Sequence, residues 1–126
     1  MLSRLFSTGS LPALESLLRF ASERQRVIAG NIANVDTVGY RTRDLSEPDF
    51  RRAMAEAYAG RRNWPGTPIP GPAADAGSLK PGGNNVDLEI EMARMVKNSA
   101  LHGMVATLLA QQFTLLREAI AGHVIS

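Results

Sequence analysis

Asn31-Ile32-Ala33-Asn34-Val35-Asp36-Thr37-Val38-Gly39-Tyr40 is the stretch on which the fold of this chain turns. It closes a run whose apolar residues stand at Leu11, Leu14, Leu18, Ala21, Ile28, Ile32 and Val35, in alternating steps of three and four. Only Gln25 interrupts that seam. A seam so regular asks for a partner helix lying along its whole length. The decapeptide then ends the helix. Asn31 and Asn34 are poor interior helix formers, and Asp36 and Thr37 can bond locally to backbone. Gly39 can take a positive φ and reverse the chain, and Tyr40 follows the reversal.

Upstream, the helix is expected to begin near Pro12, a favoured first-turn residue, with Ser10 just before it as a cap. Residues 1–10 have no periodicity and are expected to be loose in a free chain. Downstream, Ser46-Glu47-Pro48-Asp49-Phe50 has the spacing of a helix entrance, Ser46 and Asp49 forming a capping pair. A short helix would continue through Ala59 and end at Gly60. From Gly60 to Val86 there are six glycines and five prolines in 27 residues. Each proline removes a backbone donor, so a regular helix or central strand is excluded there. Trp64 is the one bulky residue of that loop. It is read as pinning the loop to the helices, with insertion into a neighbouring molecule as the alternative.

A second long helix starts at Asn84-Asn85-Val86-Asp87, where Asp87 or Asn85 can cap it. Glu89 and Glu91 suit the positive end of its dipole. With about 1.5 Å of rise per residue it forms a rod near 50 Å long. The expected architecture is a single all-α domain over 1–126. It comprises a flexible 1–10, helix one at 11–36, a turn and short helix at 37–60, a Gly/Pro-rich loop at 61–86 and helix two at 87–121. The two long helices pair as an antiparallel, coiled-coil-like hairpin.

Helix two has more apolar surface than that hairpin can hide. One stripe is Leu88, Met92, Met95, Ser99, His102, Ala106, Leu109, Phe113, Leu116 and Ile120. Met95, Leu109, Phe113 and Leu116 are expected to meet Leu14, Leu18, Ile28 and Ile32 of helix one. A second stripe, about 120° around, is Leu101, Val105, Leu108, Gln112, Leu115 and Ala119. A third arc, Ala100, Gly103, Thr107, Ala110 and Thr114, is small throughout. A helix that is apolar or small all round should be buried all round, and one partner helix covers less than half of it. Large exposed apolar patches usually mark interaction surfaces. Leu101, Gly103, Val105, Leu108, Ala110 and Leu115 are therefore expected at a contact with other chains. The alternative is a compact three-helix domain, in which the short helix and loop fold over the second stripe.

Composition narrows the function classes. The net charge is +2 and no cysteine is present. There is no disulfide framework, thiolate metal site or cysteine nucleophile. Arg24, Arg26, Arg41 and Arg43 share their stretch with Glu23, Asp36 and Asp44, which reads as a solvated face rather than a phosphate-binding patch. No nucleic-acid partner is expected, and no direct lipid binding. Residues 98–116 carry no formally charged side chain, yet Asn98, Ser99, His102, Gln111 and Gln112 argue against a membrane span. The first ten residues lack the core and cleavage site of a secretory peptide. His102 and His123 lie 21 residues apart, and His102 reads as a packed, hydrogen-bonded residue rather than a metal ligand. Asp87, Glu89 and Glu91 are adequately explained as cap charges. Gly82-Gly83 before a helix start is a weak anion site. No nucleophile–base pair is evident. Catalysis, a cofactor and a metal site are not expected.

The decapeptide resembles, residue for residue, the N-terminal signature of the bacterial flagellar axial proteins: rod, hook and hook-associated subunits. Asn31, Ile32, Ala33, Asn34, Val35, Asp36, Thr37, Gly39 and Tyr40 carry it, with Val38 in a variable slot. Gly83-Asn84-Asn85-Val86-Asp87-Leu88-Glu89, then Glu91-Met92, Lys97-Asn98 and Leu116-Arg117 with Ala119-Ile120, are similar to the C-terminal region of proximal rod members of that family. The resemblance covers 11–44 and 82–121. His102 departs from it, standing where an aromatic residue is usual. It implies a structural subunit of the basal-body rod, whose terminal helices pack with those of other copies and other rod subunits into a helical drive shaft that transmits torque. It further implies contacts with a ring-to-rod adaptor and the membrane ring base, and passage through the type III export gate to the periplasmic rod without a cleaved signal. The motif residues would fix the turn that orients the chain in the lattice. A helical export chaperone forming a small discrete oligomer is the alternative, and a peripheral membrane or nucleic-acid-binding helical protein a more distant one.

Overall fold

A computed structural model describes residues 10–66 and 68–125. Residues 1–9, expected to be loose, lie outside the described residues, as does the side chain of His123. In chain order the elements are α1 (Ser10–Ala33), β1 (Arg43–Asp44), α2 (Glu47–Tyr58), β2 (Gly71–Pro72) and α3 (Leu88–Ile125). α1 and α3 pack against each other as an antiparallel pair. The direction follows from three pairings that descend one helix while climbing the other: Asn31 with Glu91, Gln25 with Ser99, and Ser22 with His102.

α1 begins at Ser10 and closes at Ala33, before Val35. It closes early because the turn tightens: the Asn34 N–H reaches both Gly30 and Asn31 carbonyls, and Val35 and Thr37 bond carbonyls three residues back. Ser46 caps α2, its hydroxyl accepting from the Asp49 N–H at 3.3 Å, and Pro48 occupies the first turn. Gly60 follows α2 with φ +76°, the left-handed conformation that stops a helix. α3 starts after Asp87, whose carboxylate accepts from the Glu89 and Ile90 N–H groups. With no proline in its path it runs 38 residues to Ile125, beyond the expected end at 121.

The Gly/Pro-rich segment is more ordered than its composition suggests. β2 pairs antiparallel with β1, Arg43 opposite Pro72 and Asp44 opposite Gly71. A two-residue bridge at an edge tolerates Pro72, which has no N–H to contribute. It is too short to produce an alternation in the sequence.

α2 folds over α1 rather than over the second stripe of α3. Phe20 of α1 and Phe50 of α2 stack with ring centroids 4.3 Å apart and planes 17° from parallel. Leu45 completes this cluster, flanked by Leu17, Val27 and Met54. Phe20, Leu17 and Val27 lie off the seam of α1, so α1 is covered on two sides and α3 on one.

The seam on α3 corrects the expected one. Among the described side chains of α3, Glu91, Arg94, Asn98, Val105 and Leu109 are buried, and they run between the two apolar stripes. Leu109 belongs to the first stripe and Val105 to the second. Val105, expected at a contact with other chains, is 1% exposed inside its own. Phe113, expected in the seam, is 49% exposed. The cause is the polar set at 91, 94 and 98, which needs partners on α1 and β1 and turns the helix to reach them.

Replacing Phe50 with Ala empties the stacked site, and a loss of about 3 kcal/mol is expected. Urea unfolding would read the loss. Circular dichroism should show α2 melting first while the long helices persist.

Candidate functional site

The decapeptide and the start of α3 are welded together by hydrogen bonds. Asn31 is fully buried. Its Nδ2 donates to the Arg43 carbonyl at 2.7 Å and to Glu91 Oε2 at 3.1 Å. Its Oδ1 accepts from the Tyr40 hydroxyl at 2.9 Å and the Arg43 N–H at 3.1 Å. A side-chain amide has two donor hydrogens and two acceptor lone pairs, and here all four are used.

Glu91, expected to be an exposed cap charge, is 1% exposed. Thr42 Oγ1 donates to it at 2.5 Å, Arg94 Nη1 at 2.6 Å and Asn31 at 3.1 Å. Three donors make a buried carboxylate tolerable where one would not. Arg94 is itself 8% exposed. Its Nε lies 3.8 Å from Asp44, and it pairs with Asp75 from the loop beyond β2. Arg24, read as part of a solvated face, instead grips Asp44 with two bonds of 2.9 Å and reaches Glu47 at 3.4 Å.

Burial lowers the pKa of both arginines, yet their net shifts are opposite. Arg94 falls below the usual arginine range, chiefly through desolvation, with Arg24 adding to the effect and Asp44 opposing it. For Arg24 desolvation acts the same way, but the hydrogen bonds and charges of Asp44 and Glu47 outweigh it, and its pKa rises.

The rest of the motif closes the turn. Asn34 Nδ2 caps the Gly30 carbonyl and its Oδ1 accepts from the Thr37 hydroxyl. Asn84, 5% exposed, donates to the carbonyls of Asn34 and Thr37 and accepts from the Val86 N–H. Asn85 Oδ1 accepts from the Thr42 N–H at 2.7 Å. The Gly39 N–H donates to the Gly82 carbonyl at 2.8 Å, with φ +76° at Gly39 and +95° at Gly82. Gly82 and Gly83 thus serve the turn, Gly83 lying close against Gly39. Asp36 and Val38 face solvent.

Of the expected seam residues, Ile28 and Leu109 are buried and Leu14, Leu18, Ile32, Met95 and Leu116 half-buried. Of the expected contact residues, Gly103, Leu108, Ala110 and Leu115 are exposed and Leu101 is half-buried. With them, Met92, Val96, Met104, Phe113 and Ile120 leave large apolar side chains uncovered on both flanks of the α3 seam. His102 Nε2 lies 3.1 Å from the Ser22 hydroxyl, and Trp64 is half-buried. Among the described residues no three His, Cys, Asp or Glu side chains group to hold a metal ion, and no helix is long and apolar enough to cross a membrane. Sequence reading missed the joint's charges, the buried Glu91 and Arg94 and the half-buried Asp44. The one available signal was charge inside the otherwise apolar start of α3.

Comparison with known proteins matches the same region. A family model described as flagella basal body rod protein aligns with residues 18–41. The chain is similar to the flagellar basal body rod protein FlgB of Salmonella typhimurium, 28% identical over 97% of this chain and 99% of the relative. It is similar to FlgB of Bacillus subtilis at 28% identity over 94% and 97%, and to FlgB of Escherichia coli at 29% over 81% and 91%.

Burial raises the pKa of the Tyr40 hydroxyl above its ordinary 10.0, with the Glu91 charge adding and Arg43 opposing. The folded chain therefore holds this proton where the unfolded chain releases it. The stability it contributes is complete below pH 10 and declines as pH rises beyond that. Tyr40→Phe is expected to cost about 1 kcal/mol near neutrality and to flatten the alkaline limb, read by urea unfolding across pH 8 to 11.

Proposed function

We propose that the chain is a structural subunit of the flagellar basal body rod, and that it polymerises through α1 and α3 into the proximal shaft. One observation carries the proposal. α3 presents Met92, Val96, Met104, Leu108, Phe113, Leu115 and Ile120 to solvent along both sides of its seam, and the part of the helix from Asn98 to Leu116 carries no formally charged side chain.

Among the described residues nothing is left to place there: α2 is committed to α1 through Phe20, Leu45 and Phe50. Cover for α3 therefore comes from other copies and from neighbouring rod subunits. The small residues Ala100, Gly103, Thr107, Ala110 and Thr114 allow a further helix to come close. Contacts between unlike surfaces that do not close into a ring build a helical filament. Many helices buried on several sides, each anchored by a fixed joint, give the stiffness that torque transmission needs. Within this reading fall contacts with a ring-to-rod adaptor and the membrane ring base, type III export, and a periplasmic position in the basal body. Nothing in the fold or the relatives favours a chaperone.

The test is a Leu108→Asp, Leu115→Asp double variant, expressed in a strain lacking its own copy. Soft-agar spreading should fall to that of the empty strain, and purified basal bodies should lack the rod. The free variant should retain its helical circular dichroism, since both side chains lie outside the seam. Motile cells with normal rods would contradict the proposal.

A further inference from the structure

We propose that Asn98, one heptad beyond Glu91, is a positioning residue: it fixes the rotation of α3 about its own axis and so determines which apolar stripes stay outside. This deepens the assembly reading above, and rests on it for the purpose the exposed stripes serve.

α3 offers α1 more than one seam. Hydrophobicity alone favours the row through Met92, Met95, Ala106, Leu109, Phe113 and Leu116. The seam in use shares Met95, Leu109 and Leu116 with that row. It exchanges Met92, Ser99, Ala106 and Phe113 for Glu91, Asn98, Val105 and Gln112, a rotation of about 50°, half the 100° between successive residues. The exchange leaves Met92 56% and Phe113 49% exposed. It also buries Asn98 to 3% exposure, with no hydrogen-bond partner for its Oδ1 among the described residues. Both consequences oppose stability.

What holds this phase is directional bonding at two levels on the same side of the helix. At the lower level Asn31, Thr42 and Arg94 converge on Glu91. At the upper level Asn98 Nδ2 donates to the Ala21 carbonyl at 2.7 Å and to Gln25 Oε1 at 2.8 Å. Gln25 in turn donates to Ser99 at 3.0 Å. Because Asn98 faces two acceptors, its amide cannot turn over to satisfy Oδ1. A buried polar side chain at a seam position specifies geometry at a cost in stability. Gln25, the one break in the α1 seam, is where that specification is received.

The absence of cysteine allows single-thiol reporters in the full chain. Met92→Cys and Val105→Cys supply one thiol each, and labelling by a small maleimide is timed with Asn98 intact, with Asn98→Leu, and with Asn98→Ser, which keeps a donor. With Asn98 intact, the thiol at position 92 should label at least about tenfold faster than the thiol at position 105, following the exposure of the two sites. Asn98→Leu should bring that ratio toward one with helical content undiminished, and Asn98→Ser should largely restore it. An unchanged ratio in Asn98→Leu overturns the proposal, and so does loss of helicity, because the role assigned is phase and not stability. Rod assembly is scored separately. A collapsed ratio with normal rods upholds the positioning role and counts against the assembly reading.

Discussion

A carboxylate buried between two helices has to be surrounded by donors, and Glu91 obtains them from three different parts of the chain. Asn31 comes from the end of α1, Thr42 from the turn and Arg94 from the next turn of α3. Removing any one strands the others in a medium where an unmet polar group costs about 1–3 kcal/mol. Asn31 is in turn committed on all four sides, to Arg43 twice, to Tyr40 and to Glu91. Segments 60 residues apart therefore specify each other. Through Arg94, Asp44 and Arg24 the same network reaches the cap region of α2. Turn, bridge and all three helices meet at one joint.

Beyond the joint the fold is thinly provided with core. Its apolar cluster consists of Phe20, Leu45 and Phe50 with three half-buried neighbours, all beside α1. α3 is held at its start by polar bonds and along its length by a narrow seam through Val105 and Leu109. Its flanks remain apolar and open. In a monomer this would be wasteful. In a subunit it divides the labour: polar bonds set geometry within the chain, and apolar surface is kept for contacts between chains, where assembly adds the missing stability.

The helices were legible in the sequence because apolar periodicity, the Ser46 cap, the prolines and Gly60 are local signals. The pairing of α1 with α3 followed from the regular α1 seam. The rotation of α3 was not legible, because its apolar residues lie on every side and the choice among them is made by Asn98 and Glu91. Hydropathy reads such residues as outward-facing, which put Phe113 inside and Val105 outside. The β1–β2 bridge was invisible for a different reason: two residues containing Pro72 produce no pattern. The decapeptide was recognisable as wording, but its physical meaning lies in partners at 82–91, which spacing within the motif cannot disclose.

Oxidative footprinting of purified rods against the free chain tests most directly whether α3 keeps its open flanks for assembly. Met92, Met104 and Phe113 should be oxidised readily in the free chain and strongly protected in the rod, while the buried joint stays protected in both. Equal oxidation of those three residues in the two states would mean that nothing covers α3 on assembly, and would contradict the account.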